Sequence, residues 1–246
     1  MKLKNHEIAS EFSKIAGLIR MPNYFYDEVI MLANIKGKER ILDVGCGNGY
    51  LLERIKNNYS HVQLYGIELS HELFKKSKKR LHGKATVLRG LGEKTNFSNG
   101  FFDIIFITEV LEHTKNPEKI LDESKRLLKE GGKIIVTFPN IHAFFPFYLF
   151  DTIIPDALKS VLLPDEHPFN SLQPIDRIFT LSEIKKIIKR IKLKEKKRFG
   201  VQYFPWLSVN QFMKEIMQKK RPTINSIFSA LNLHFLAYRM IILLNK

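Results

Sequence analysis

The sequence has a single cysteine, Cys46, among its 246 residues. One cysteine cannot form an internal disulfide, so the chain is not a disulfide-stabilised scaffold, and it cannot hold a metal through a cluster of cysteines. A chain that uses so little cysteine suits a reducing compartment, and we therefore expect a cytoplasmic protein.

Long apolar runs are also missing. A membrane-spanning helix needs roughly 18 or more consecutive apolar residues, whereas the longest runs, 143–150 and 235–244, are much shorter, and the second contains Arg239. The first residues, MKLKNHEIASEF, lack the apolar stretch of a signal peptide. We expect a soluble protein, with peripheral contact to a membrane left open.

Acidic residues are scarce relative to basic ones, with 25 against 40 and a formal net charge of +15. Such a surface attracts nucleic acid, anionic lipid or acidic substrates. The alternative is lysine spread over solvated helix faces, which the helical spacing of the lysines favours. The same two interpretations apply to the densest basic stretch, 185–198, and the aromatic residues that follow it.

Apolar periodicity predicts helices at 6–20 and after Pro22, followed by alternating strands and helices. Strands are expected at 40–44, 63–67, 85–89, 103–108, 133–138, 192–199 and 233–244, and helices at 49–57, 71–81, 117–129, 181–191, 207–218 and 223–231. Gly131 and Gly132 are expected to end the helix at 117–129. This order predicts an α/β protein with a Rossmann-like, doubly wound, mostly parallel seven-stranded sheet and helices on both faces.

A glycine-rich loop, ILDVGCGNGY at 41–50, follows the first strand and opens a helix. Its glycines, Gly45, Gly47 and Gly49, permit a tight turn and a close approach of the backbone to a ligand. The spacing differs from the G-x-G-x-x-G of dinucleotide binders. Asp43 would repel a pyrophosphate and attract an ammonium group, which favours a cofactor with an amino-acid tail.

Glu68 ends the second strand, 19 residues after Gly49. An acidic residue at about this distance accepts hydrogen bonds from ribose hydroxyls in nucleotide-binding folds. The alternative is a surface glutamate at a strand end, but the preceding glycine loop favours ribose binding.

Four motifs within 39–140, namely ILDVGCGNGY, GIELS, FFDIIFITEVLEH and LLKEGGKIIVTFPN, together resemble the class I S-adenosylmethionine (SAM)-dependent methyltransferases. The resemblance is to the type 11 and ubiquinone-biosynthesis O-methyltransferase groups. It implies that the glycine loop contacts the methionine part of SAM, that Glu68 binds the ribose, and that residues after the third strand hold the adenine. The implied cofactor-binding residues are Asp43, Gly45, Cys46, Gly47, Gly49, Glu68, Leu69, Gly92, Glu93 and Thr108.

The chain departs from this family after the third strand. Relatives often read G-D-A-E there, with the aspartate accepting from the adenine amino group, whereas this chain reads Gly90, Leu91, Gly92, Glu93. Leu91 therefore replaces the aspartate, and the adenine contact is expected to come from the backbone around Gly92 and Glu93.

Glu109, Glu112 and His113 follow the fourth strand, at the sheet edge where ligands bind. Two carboxylates and an imidazole could hold a divalent cation such as Mg²⁺, Mn²⁺ or Zn²⁺. The pattern is similar to ubiquinone-biosynthesis and small-RNA 2′-O-methyltransferases, which implies His167 as a further ligand. A metal would lower the pKa of a substrate hydroxyl. Alternatively, these residues cap a helix or pack near SAM without a metal.

Methyl transfer needs alignment of the reactants, and a base if the acceptor is protonated. The candidate catalytic bases are His113, His142 and His167, each of which could instead shape the site. We expect a single domain in which helices in 1–38 cover the cofactor site. The methyltransferase domain spans 39–246, with an aromatic insertion at 141–180 that either covers the substrate or packs in the core.

Three functions follow from these features. The first is methylation of a small or lipid-like acceptor, at oxygen. The second is methylation of RNA, which the net positive charge motivates. The third is a SAM-binding partner or sensor without catalysis.

Overall fold

The computed structural model describes residues 21, 23–140, 179–203, 231 and 237–246. Several sequence-based predictions lie outside these residues: the helices at 6–20 and 207–218, nearly all of the helix at 223–231, and residues 141–178 of the insertion. His142 and His167 lie in that insertion and are also outside the described part of the chain.

The described elements alternate as the sequence predicts. The helices are α1 (Asn23–Ala33), α2 (Tyr50–Asn58), α3 (His71–Arg80), α4 (Pro117–Leu127) and α5 (Leu181–Arg190), with a short 3-10 turn at Leu111–His113. The strands are β1 (Arg40–Val44), β2 (Gln63–Glu68), β3 (Thr86–Arg89), β4 (Phe102–Thr108), β5 (Leu128–Pro139), β6 (Lys194–Tyr203) and β7 (Ala237–Asn245).

The strands form one seven-stranded sheet in the order β3-β2-β1-β4-β5-β7-β6. The first five strands in this order are parallel to one another, and β7 runs antiparallel to both β5 and β6. The predicted mostly parallel, doubly wound α/β fold is therefore confirmed. Its strand order reverses at β1, and ligands in such folds bind at the carboxyl ends of the strands beside this switch point.

The core has two halves because successive strand residues point to opposite faces of the sheet. Ile41 joins one apolar cluster with Phe25 of α1 and Leu52 of α2. Its neighbour Leu42 joins the other cluster, with Leu121 of α4. Burial on both faces explains why β4 is a nearly uninterrupted apolar segment.

The end of α4 differs from the prediction. The helix ends at Leu127 rather than at 129, and Gly131 lies inside β5 instead of terminating the helix. Leu128 is buried and has extended dihedral angles, and it pairs with Phe102 of β4. Burial of Leu128 against the sheet therefore overrides the glycine signal.

The sixth strand begins later than expected. The prediction placed it at 192–199, whereas β6 is Lys194–Tyr203. Of the strand predicted at 233–244, the described part is β7, Ala237–Asn245. Lys192 adopts a left-handed conformation, with φ of 58°, in the turn after α5, and therefore cannot start a strand. Among the described residues, no helix is long and apolar enough to cross a membrane.

Candidate functional site

The glycine loop connects β1 to α2 and is tied to the neighbouring strand β2. The backbone N–H groups of Gly45 and Cys46 both donate to the carbonyl of Ile67, at 2.8 and 3.0 Å. Gly45, Gly47 and Gly49 all have positive φ, at 69°, 54° and 80°. Positive φ is costly for residues with a Cβ atom, so the loop shape requires glycine.

The three glycines differ in what surrounds them. A Cβ atom on Gly45 would lie 2.6 Å from Val110 Cγ2, and one on Gly49 would lie 2.7 Å from Leu81 Cδ1. A Cβ on Gly47 would meet nothing within 4 Å. Gly45 and Gly49 therefore allow close packing inside the protein, whereas Gly47 presents its backbone to open space where a ligand can approach.

Asp43, at the end of β1, carries a carboxyl group into the interior. It is 1% exposed, and its Oδ1 atom has no hydrogen-bond partner. Burial raises the pKa of this carboxyl well above its usual value, and the nearby Glu68 raises the pKa further. A buried acceptor without a donor is costly unless a ligand supplies one. The ammonium group of SAM is such a donor, so this position fits the cofactor.

Glu68, at the end of β2, is held by the backbone on both sides. Its Oε2 accepts from Gly47 N at 2.8 Å, and its Oε1 accepts from Ser70 N at 2.7 Å. Burial raises the pKa of Glu68, and these backbone hydrogen bonds oppose that rise. Each carboxylate oxygen has a further lone pair, so the fixed carboxylate can still accept from ribose hydroxyls.

The remaining implied cofactor residues lie at the same sheet edge. Leu69 and Thr108 are half-buried at the ends of β2 and β4, and Cys46 is buried. Burial raises the pKa of the Cys46 thiol well above its usual value, as expected for an inert packing residue.

The segment after β3 is closely packed. The N–H of Gly90 donates to the carbonyl of Glu68 at 3.1 Å. A Cβ on Gly92 would lie 2.4 Å from Val44 Cγ1, so this position also requires glycine. Glu93 Oε1 accepts from the hydroxyl of Thr114 at 3.2 Å.

Glu109 occupies a strained position directly after β4, with φ of 52°. Its N–H donates to Thr137 Oγ1 at 3.0 Å, and that hydroxyl donates to Glu109 Oε1 at 2.8 Å. Its Oε2 accepts from Arg239 Nε at 2.7 Å. Glu109 is thus fixed by β5 and β7 and has an arginine as its counter-charge.

Glu112 is buried in the 3-10 turn, and its Oε2 has no hydrogen-bond partner. Burial and the charge of Glu109 raise the pKa of Glu112 to about 8. His113 is partly exposed, and its Nε2 lies 3.9 Å from Glu112 Oε1, which is too far for a hydrogen bond.

The divalent-cation hypothesis gains no support from this arrangement. Within the described ranges, no three His, Cys, Asp or Glu side chains are grouped so that they could hold a metal ion. The carboxylate of Glu109 forms an ion pair with Arg239, and the fourth proposed ligand, His167, lies outside the described residues.

Arg239, Thr137 and Val110 are not predicted from the sequence as site residues. Arg239 is separated from Glu109 by 130 residues and stands in an apolar run, where it reads only as an interruption. The one signal available in the sequence was a charged residue inside an otherwise apolar predicted strand.

Comparison with known proteins agrees with this geometry. Residues 42–136 match the family model described as a methyltransferase domain. The ubiquinone biosynthesis O-methyltransferase of Dechloromonas aromatica is 28% identical over 200 residues, covering 80% of each chain. An uncharacterised protein of Methanocaldococcus jannaschii is 35% identical over 99 residues, covering 40% of this chain and 44% of its own.

Solved structures share the fold. The [4+2]-cyclase SpnF superposes with a TM-score of 0.65 at 14% identity, covering 99% of this chain and 97% of its own. A SAM-dependent methyltransferase of Thermotoga maritima, described as a possible histamine N-methyltransferase, gives a TM-score of 0.61 at 15% identity, covering 97% and 99%. At such identities the likeness establishes the fold alone.

The matched domain includes the glycine loop, the buried Asp43 and Glu68, the residue expected to bind the ribose. Residues 42–136 therefore form a methyltransferase domain, and together with the relatives and the strand order these features support a SAM-dependent methyltransferase.

Proposed function

We propose that this methyltransferase transfers the methyl group of SAM to an oxygen atom of a small or lipid-like acceptor. The observation that carries the proposal is His113, a partly exposed imidazole just beyond β4 at the edge where Asp43 and Glu68 stand. The naming of several relatives as ubiquinone biosynthesis O-methyltransferases supports oxygen as the accepting atom and a lipid-like acceptor.

When bound, SAM supplies a methyl group that is already activated by its positively charged sulfur. A hydroxyl acceptor must lose its proton as its oxygen forms a bond to the methyl carbon and the carbon–sulfur bond breaks. His113 is the base that we propose takes this proton. The neighbouring Glu112 is buried, with a pKa of about 8, so at neutral pH it is mostly protonated and leaves His113 as the proton acceptor.

The loop and the strand ends provide orientation in this scheme. Asp43 binds the ammonium group, and Glu68, itself fixed by Gly47 and Ser70, binds the ribose. Binding SAM through its ammonium group and its ribose points the methyl group in one direction. Such alignment accounts for a large part of the catalysis of a displacement reaction.

We also propose that the N-terminal residues 1–38 cover the cofactor site. Within this segment, α1 is bound to α2, the helix that the glycine loop opens. Tyr50 Oη donates to Asn23 Oδ1 at 2.7 Å, and Arg54 forms an ion pair with Asp27. These contacts hold α1 beside the loop and support the proposal.

Incubation with radiolabelled SAM and three separate pools, small phenols, lipid extract and RNA, tests the acceptor class. The proposal expects label in the phenol or lipid pool. Label in RNA alone would contradict it and favour RNA methylation, for which the exposed lysines of α5 and β6 provide a basic surface. Label in none of the pools would also contradict the acceptor class and favour a SAM-binding role.

Replacement of the proposed base tests its role. His113→Gln should lower kcat by about a hundredfold, while the affinity for S-adenosylhomocysteine changes little, because the imidazole acts on the acceptor. His61→Gln, at an exposed position before β2, is the matched control and should leave both unchanged. A His113→Gln variant with normal kcat would rule out the proposed base.

A further inference from the structure

The end of α3 lies directly against the glycine loop. A Cβ atom on Gly49 would lie 2.7 Å from Leu81 Cδ1 and 3.3 Å from Ser77 Cβ. Ser77 is on the last turn of α3, and Leu81 follows the helix. Arg80, the last residue of α3, stands between these two contacts, so its side chain begins beside the loop.

Arg80 binds the backbone of the loop. Its Nε donates to the carbonyl oxygen of Asn48 at 3.0 Å. The peptide group that carries this carbonyl is also bonded at its other end, because the N–H of Gly49 donates to the carbonyl of Cys46 at 2.9 Å. The peptide between Asn48 and Gly49 is therefore held both from within the turn at 46–49 and from α3.

The guanidinium of Arg80 is itself fixed by α2, the helix that the loop opens. Its Nη1 donates to Glu53 Oε2 at 2.7 Å, on the first turn of α2. Its Cζ lies 5.6 Å from the centre of the Tyr50 ring, a distance at which a cation is attracted to an aromatic face. A partly exposed ion pair contributes little to stability by itself, but this one directs the Nε of Arg80 at the loop.

The turn that Arg80 contacts is the part of the loop expected to meet the ligand. Gly47 lies within it, with φ of 54° and nothing within 4 Å of a Cβ position. The N–H of Gly47 donates to Glu68 Oε2 at 2.8 Å. A shift of the turn would therefore move both the backbone that faces the ligand and a donor that fixes the Glu68 carboxylate.

We propose that Arg80 is a positioning residue for the cofactor. It acts through the loop, by holding the turn at 46–49 in its binding shape before SAM arrives. Without this bond, only a fraction of the molecules has the turn in that shape, and the apparent affinity falls by that fraction. The inference rests on binding of the cofactor by the glycine loop and is independent of the methyl acceptor.

Titration calorimetry of the full-length protein with S-adenosylhomocysteine tests the inference without turnover. Arg80→Met should raise the dissociation constant by about threefold to tenfold. Arg80→Lys keeps a charged donor on a stem of similar reach and should recover most of the affinity. A native protein that does not bind this ligand would contradict the cofactor site itself. Native binding with an unchanged dissociation constant in Arg80→Met would overturn only the role of Arg80.

Lys79→Met is the matched control. It removes the same charge from the neighbouring exposed position on α3, and it should keep the native dissociation constant. Equal weakening in Lys79→Met and Arg80→Met would assign the effect to attraction between the basic helix and the carboxylate of the ligand, and would contradict the proposed role.

Amide hydrogen exchange of residues 45–50 separates positioning from a purely structural role. In the free Arg80→Met variant the loop should exchange faster than in the native protein. Saturation with S-adenosylhomocysteine should restore the native rate, because the ligand then holds the turn. A lower melting temperature combined with native exchange in the loop and a native dissociation constant would show that Arg80 only stabilises the fold, and would overturn the proposal.

Discussion

At the scale of single residues, Asp43 occupies a position that lowers the stability of the free protein. Its carboxyl group is buried at the end of β1 with Oδ1 unpartnered, and both burial and Glu68 raise its pKa. Burial of an uncompensated polar group is unfavourable, which supports the proposal that Asp43 binds the ammonium group of the cofactor.

Asp43→Asn should therefore weaken SAM binding without lowering the stability of the free protein. Loss of the charge should weaken SAM binding by about tenfold to a hundredfold, which corresponds to a charge-assisted hydrogen bond. The melting temperature of the free protein should stay the same or rise, because a buried carboxyl is removed.

Asp103→Asn is the control for that measurement. Asp103 lies at the opposite end of the sheet, where it pairs with Lys129 at 2.5 Å and accepts from Arg40 N at 2.8 Å. This variant should lower the melting temperature and leave the SAM dissociation constant unchanged. Equal losses of affinity in the two variants would argue against ammonium binding by Asp43.

Two glycines after β3 allow a sharper comparison of packing. A Cβ on Gly92 would lie 2.4 Å from Val44 Cγ1, whereas one on Gly90 would meet nothing within 4 Å. Gly92→Ala should cost about 1–3 kcal/mol of unfolding free energy through overpacking. Gly90→Ala should change it by less than about 1 kcal/mol. Urea denaturation measures both, and equal costs would contradict the packing explanation.

At the scale of elements, the edge beyond β4 depends on strands that are distant in sequence. Glu109 is bonded to Thr137 of β5 and to Arg239 of β7, and both partners of the ion pair are largely buried. β7 runs antiparallel to its neighbours, which brings its first residues to the edge where the parallel strands end. The ion pair thus connects β7 to the sheet edge where the parallel strands end.

Arg239→Met should be costly because it leaves the Glu109 carboxylate without its counter-charge. We expect a loss of about 2–4 kcal/mol in unfolding free energy, and partial recovery in the double variant Glu109→Gln/Arg239→Met. Arg190→Met is the control, since Arg190 pairs with Glu118 at an exposed site. It should cost no more than about 1 kcal/mol. A double variant with the summed cost of both single ones would show that the pair is not coupled.

At the scale of the whole molecule, a buried acid makes the stability of the chain depend on pH. Burial and the charge of Glu109 raise the pKa of Glu112 to about 8, compared with an ordinary value of 4.5. The folded protein thus retains a proton that the unfolded chain releases. The contribution of this pKa difference to the unfolding free energy is fully present below pH 4.5 and is lost as the pH rises toward 8.

Glu112→Gln removes this titration while keeping the shape of the side chain. Relative to the variant, the native protein should lose up to about 1.4 kcal/mol of unfolding free energy per pH unit between pH 5 and 8, and little more above that. Urea denaturation of both proteins from pH 5 to 9 at constant ionic strength measures the difference. Parallel stability curves would contradict the raised pKa.

Local patterns explain why much of the fold could be predicted. The strand β1 and its glycine loop are encoded within ten residues, because the apolar run, Asp43 and the three glycines act through local backbone geometry. The end of α4 could not be predicted in the same way. Gly131 is a local helix-stop signal, but burial of Leu128 against β4 ends the helix earlier.

The features of the candidate site fall into the same two groups, those set by the local sequence and those set by tertiary packing. The sequence by itself determined the alternation of strands and helices, the glycine loop proposed to bind the cofactor and the acid at the end of β2, since each depends on neighbours along the chain. Only the tertiary structure decided that Glu109 is paired with Arg239, that Oδ1 of Asp43 is left without a partner, and that Leu91 stays exposed. These are contacts, or missing contacts, between segments far apart in the chain, and the packing of the sheet fixes them.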